Sequence, residues 1–186
     1  AFRKFRVAIP ADNPELDKLI DGLEQAVNRG AARELDGAYE LMTQGKLVDA
    51  DPEFEEGFRK FYGYLKLCSE EEVQKILAEN SNKIAVSHYN YACLLAQASA
   101  GKAGKQTRPM PDKEEAKALV DRAFEQLDQA VKLGFGKEVR EVEEGGKKVQ
   151  KVVPSKTVLE ATGKDTDLDP LHADPRWKKL LETIQK

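Results

Sequence analysis

Reactive side chains are few in this chain, and their spacing decides against most chemistry. The cysteines are Cys68 and Cys93 and the histidines are His88 and His172. His88 and Cys93 are five residues apart, which on a helix separates the side chains by about 140°, so the imidazole does not face the thiol. Two cysteines supply neither a disulfide framework nor a four-ligand metal site, and they read as small buried hydrophobes. Asp165, Asp167 and Asp169 open like a calcium-binding loop, in which alternating carboxylates wrap the ion. That loop then requires Gly where Pro170 stands and Glu where Arg176 stands, so the three acids read as caps and solvated charge. The segment GKAGKQT from Gly101 to Thr107 has the glycine and lysine of a phosphate loop. It carries Ser99 in place of the leading Gly and Gln106 in place of the hydroxyl that holds magnesium, and it follows a helix instead of a strand. Glu70, Glu71 and Glu72 fit a favourable first helical turn. The expectation is a non-catalytic protein with no cofactor and no metal.

The bulk properties frame that expectation. The chain has 186 residues, 40% of them apolar and 34% charged, enough to bury a core under a heavily solvated surface. Thirty basic against thirty-three acidic residues give a net charge of −3, without the basic excess of a nucleic-acid binder. No apolar run approaches the ~20 residues that span a bilayer. Compartment and homo-oligomerisation are left open.

The elements that position these residues are mainly helical. Residues 1–13 read as extended. Apolar residues at helical spacing predict a helix from Pro14 that ends at Gly30, and a second from about Ala31 to Gln44 closed by Gly45 at the C′ position. Asp51-Pro52 predicts the start of a third, with Phe54, Phe58, Phe61, Tyr62 and Leu65 on one stripe and the aromatics in the core. Ser69 predicts the cap of a short fourth helix, the fifth runs from about Lys83 to Ala100, and the sixth from about Asp112 to Leu133. The Gly-, Lys- and Pro-rich segment 98–111 between the last two is longer than the usual helix–helix connection. Residues 137–153 read as a two-stranded hairpin around Gly145-Gly146. That turn sets Glu144 opposite Lys147, Glu143 opposite Lys148, Val142 opposite Val149 and Val139 opposite Val152. Asp169-Pro170 and Asp174-Pro175 each predict a capped helix start, the second launching a helix with Trp177, Leu180, Leu181 and Ile184 on one stripe.

The segments AVSHYNYACLL (Ala85 to Leu95) and AKALVDRAFEQLDQAVKLGF (Ala116 to Phe135) resemble the two antiparallel helices of a tetratricopeptide repeat. Tyr91 and Ala92 match its large-then-small pair and Leu95 its aromatic position one turn later. Ala123, Leu127 and Ala130 match the small-large-small pattern of the second helix, with Phe135 where a proline often stands. DTDLDPLHADPRWKKLL (Asp165 to Leu181) resembles the DLDPLR-DPRF-like closing segment of bacterial proteins that carry such repeats.

The resemblance implies a mainly α fold: a short superhelical stack of antiparallel helix pairs, with a small β-hairpin inserted before the closing segment 154–186. Residues 14–80 are then degenerate helical pairs, with a separate helical bundle packed against the repeat as the alternative, and 83–135 the repeat proper. It also implies a protein–protein interaction module whose concave groove is lined by Val86, Tyr89, Asn90, Cys93 and Gln97 and holds a protein or peptide. No cation accompanies Asn90, so a carboxylate clamp is not expected. Lys102, Lys105 and Arg108 form a secondary contact loop toward an anionic partner. The alternative is a structural subunit that docks through the hairpin and this loop.

Overall fold

A computed structural model describes residues 14–106, 109–144 and 147–185. The segment 1–13, which the sequence led us to expect as extended, lies outside the described residues, as do Arg108, Gly145 and Gly146. The chain is mainly α, with helix pairs packed against each other and one small antiparallel hairpin. In chain order the elements are α1 (Pro14–Thr43), α2 (Leu47–Leu65), α3 (Glu70–Ser99), α4 (Lys113–Lys132), β1 (Lys137–Glu144), β2 (Lys147–Pro154), α5 (Lys156–Lys164), a 3-10 turn (Thr166–Leu171) and α6 (Pro175–Ile184). Among the described residues no helix is long and apolar enough to cross a membrane.

The chain divides into two compact units, residues 1–80 and 81–186. In the first, α1 packs on α2. Leu35, Ala38, Ala50, Phe54 and Phe61 are all within 1% of full burial. Gly57 lets the helices approach: a methyl group there would meet Leu35 Cγ at 2.7 Å. The expected aromatic stripe is observed, with Phe54, Phe58 and Phe61 buried and Tyr62 at its margin. Two boundaries differ from expectation. Gly30 does not stop the first helix; it has no positive φ, and α1 runs through it to bury Ala31. Likewise α2 begins at Leu47, ahead of Pro52, because burial of Leu47 and Ala50 outweighs the ladder bond that an interior proline removes.

The two short helices expected over 69–100 are one helix of 30 residues. Ser69 and Glu72 form the expected capping box: the Ser69 N–H donates to Glu72 Oε2 at 2.8 Å, and the Glu72 N–H donates to Ser69 Oγ at 3.4 Å. The polar run Asn80-Ser81-Asn82 does not interrupt it, since the Asn80 side chain donates back to the Ile76 carbonyl at 2.9 Å. Three helices share one ending. At Gly45, Gly101 and Gly134 φ is 75°, 72° and 96°. In each case the next N–H reaches back five residues, from Lys46 to Leu41, Lys102 to Gln97 and Phe135 to Ala130.

In the second unit α4 is capped by Asp112, which accepts from the Glu114 and Glu115 amides. It buries Leu119, Ala123, Phe124, Leu127 and Ala130. The hairpin has the expected register throughout, from Lys137 opposite Pro154 to Glu144 opposite Lys147. At its base Gly136 lies against α6, where a methyl group would meet Ile184 Cγ2 at 2.4 Å. Asp174 caps α6 as expected, accepting from the Arg176 N–H at 2.9 Å. Asp169 does not start a helix. It lies inside the 3-10 turn, which is capped instead by Asp165 accepting from the Asp167 N–H at 3.0 Å. Trp177, Leu180 and Ile184 are buried, while Leu181 is half-buried.

Candidate functional site

Val86, Tyr89, Asn90, Cys93 and Gln97 stand at i, i+3, i+4, i+7 and i+11, so they share a face of α3. That face is divided between an anchored part and an open part. The Tyr89 hydroxyl donates to Asp165 Oδ2 at 2.5 Å, and its ring stacks on Phe135 with centroids 4.4 Å apart. Cys93 is 3% exposed and its thiol lies 3.9 Å from the same Asp165 oxygen. Asp165 therefore does two jobs. One oxygen caps the 3-10 turn while the other receives Tyr89, which fixes the closing segment onto α3.

The electrostatics follow from that enclosure. Burial, then the neighbouring Cys93 and Asp165, pushes the Tyr89 hydroxyl far above its ordinary range. Burial, then Asp165 and Asp167, does the same to the Cys93 thiol, which stays protonated and non-nucleophilic. Asp167 is raised by burial and then by Asp165, with Lys102 opposing. The open part of the face consists of Val86, 40% exposed, with Asn90 and Gln97 half-buried. In the Gly/Lys-rich loop Lys102 and Lys105 are exposed.

His88 is on the other side of α3. Its ring is 2% exposed, with Nδ1 2.6 Å from Gln126 Oε1 of α4. Taking that oxygen as the acceptor, Nδ1 carries the hydrogen. Burial lowers its pKa to about 4, against the opposing effect of the Gln126 hydrogen bond. Nearby, Arg122 donates to the Tyr91 hydroxyl and lies over its ring. His88 and Cys93 thus serve different partners on different faces. Among the described residues no group of three or more His, Cys, Asp or Glu is arranged to hold a metal ion.

Two features leave no local trace in the sequence. Asp165 was visible there only as one acid of an alternating run, because its partner Tyr89 is 76 residues away. In the first unit Glu34 and Glu53 share a hydrogen bond between α1 and α2. It lowers the Glu34 carboxyl, with help from Lys60 2.6 Å away, and raises that of Glu53. The pair lines an open concavity of about 670 Å³ with Arg29, Arg33 and Asp36. Only the packing of α1 on α2 brings the two acids together.

Neither family models, nor curated proteins, nor solved structures contain a match to this chain.

Proposed function

We propose that this chain is a non-catalytic interaction module of the tetratricopeptide type, which holds a peptide or protein partner on the face of α3. The observation that carries the reading is the division of that face. Val86 offers 40% of its surface beside the half-buried amides of Asn90 and Gln97, on a helix held in place by Tyr89–Asp165. An apolar contact flanked by amides suits an extended peptide, whose backbone needs both donors and acceptors. Affinity comes from these contacts, with no covalent step. The test is affinity capture from source-cell lysate, comparing the intact protein with Val86→Ala/Asn90→Ala/Gln97→Ala. A partner lost from the variant, with an unchanged melting temperature, is the expected result. Equal capture by both overturns the groove assignment.

A second reading, a structural subunit that docks through the hairpin, draws on a different observation. Val139 and Val152 stand opposite one another and are 63% and 66% exposed. Deleting residues 137–152 separates the two readings: it removes association if the hairpin docks, and preserves it if α3 does.

A further inference from the structure

The hairpin exposes backbone as well as valines. Its pairing is unbroken from Lys137–Pro154 to Glu144–Lys147, and the Ser155 N–H donates to the Gly136 carbonyl at 2.7 Å, one step beyond the base. In an antiparallel ladder, hydrogen-bonded and non-hydrogen-bonded pairs alternate. Gly136–Ser155 therefore fixes the phase. Glu138, Arg140, Val142 and Glu144 turn their backbone groups inward, toward β2. Val139, Glu141 and Glu143 turn theirs outward, as do Lys148, Gln150 and Val152 on the other strand, while the outward N–H of Lys137 donates to the Gly134 carbonyl at 3.1 Å. Pro154, which has no N–H, occupies an outward position where none is needed inside the ribbon.

The two open edges carry opposite charge. β1 holds Glu138, Glu141, Glu143 and Glu144 against Lys137 and Arg140. β2 holds Lys147, Lys148 and Lys151 and no acid. We infer that the β1 edge is a pairing site for the β2 edge of a second copy of this chain. Laid antiparallel at the hairpin's own register, the two edges match outward backbone to outward backbone. Val139 then meets the second copy's Val152, Glu141 its Gln150 and Glu143 its Lys148. The row of valines and the alternation of acid and base continue across the junction. Arg140 opposite Lys151 is the one like-charged pair, and it already exists within each hairpin. Pairing β1 with β1 brings two acidic strands together, and pairing β2 with β2 two basic ones; only the mixed junction joins opposite charges. Val139 and Val152 are exposed, Lys148 and Glu141 form an ion pair of 2.7 Å on the same face, and among the described residues no third strand pairs with either edge. The contact is head-to-tail, so a free β1 edge and a free β2 edge remain after each addition.

This inference rests on the hairpin reading and is independent of the α3 face. Its test is sedimentation of the full chain over rising concentration, together with two variants that each block one edge. Val139→Pro removes an outward amide from β1, and Gln150→Pro removes one from β2; neither amide serves the ladder inside the hairpin. The intact protein is expected to gain mass with concentration, each variant to stay a single chain, and their equimolar mixture to form a one-to-one dimer. A single chain for the intact protein at every concentration overturns the inference. Self-association by either variant alone, or a mixture that stays monomeric, also overturns it. Circular dichroism checks the fold of both variants. Should the prolines unfold the ribbon, Glu141→Lys/Glu143→Lys keeps every amide and makes β1 basic; it is expected to stay monomeric, and undiminished association overturns the proposal. A hairpin that captures another protein while the intact chain stays monomeric overturns self-pairing and leaves the hairpin reading standing.

Discussion

The 3-10 turn Thr166–Leu171 and the hairpin 137–154 both follow α4, yet they treat their polar groups in opposite ways. The turn buries Leu168 and Leu171 completely, and both carboxylate oxygens of its capping Asp165 have partners, one of them 76 residues away. The hairpin is held at its base by Gly136 and Ser155, and beyond that it leaves Val139, Val152 and two lines of outward backbone exposed. One segment is committed within the chain, whereas the other is available to something outside it. The same contrast recurs on α3, where Tyr89 and Cys93 are engaged and Val86 is open. Intramolecular contacts therefore mark which candidate surfaces remain free to bind.

The contrast can be broken at its most buried point. Leu168→Ala removes a side chain with no exposure from under the closing segment and is expected to cost about 2–5 kcal/mol in denaturant unfolding. A loss below about 1 kcal/mol contradicts the commitment of the turn. Next in size is the pH dependence from His88. Its pKa falls from 6.5 to about 4 on folding, so between those values the unfolded chain binds a proton that the fold refuses. The group's contribution is complete above its unfolded pKa. It falls as the pH drops toward 4, by about 3 kcal/mol at most. His88→Gln should flatten the stability profile across that window, and an unchanged slope places the titration elsewhere.

Tyr89→Phe keeps the stack on Phe135 and removes only the donor to Asp165. The expected loss is about 1–2 kcal/mol, since a part-buried carboxylate oxygen keeps only the weak donor of the Cys93 thiol. At the other extreme Val139→Thr on the open hairpin should change stability by less than about 0.5 kcal/mol. If the two substitutions cost the same, the contrast between the regions disappears.

Local signals in the sequence were read well. The Ser69–Glu72 capping box, Gly45 at a helix end, Asp174 before Pro175 and the hairpin register all depend on residues within one turn or one ribbon. Helix breaks were read less well. Gly30 and Asn80-Ser81-Asn82 have poor helix propensity, but α1 and α3 are long and their burial overrides a local cost of about 1 kcal/mol for Gly and less for each Asn or Ser. The five α3 positions were legible as one face because three- and four-residue spacing is enough to place them there. Their division was not, because it depends on Asp165 and Phe135, which only tertiary folding brings to Tyr89. For the same reason the Glu34–Glu53 pair went unseen.

On the proposed function, the open part of the α3 face is where a partner sits. The most direct measurement is thiol labelling at Val86→Cys in a Cys68→Ala background, with and without the captured partner. The native Cys93 is buried and should stay unlabelled. With a partner seated there, labelling at position 86 is expected to be rapid in the free protein and markedly slower once the partner is bound. An equal rate in both states would contradict that placement.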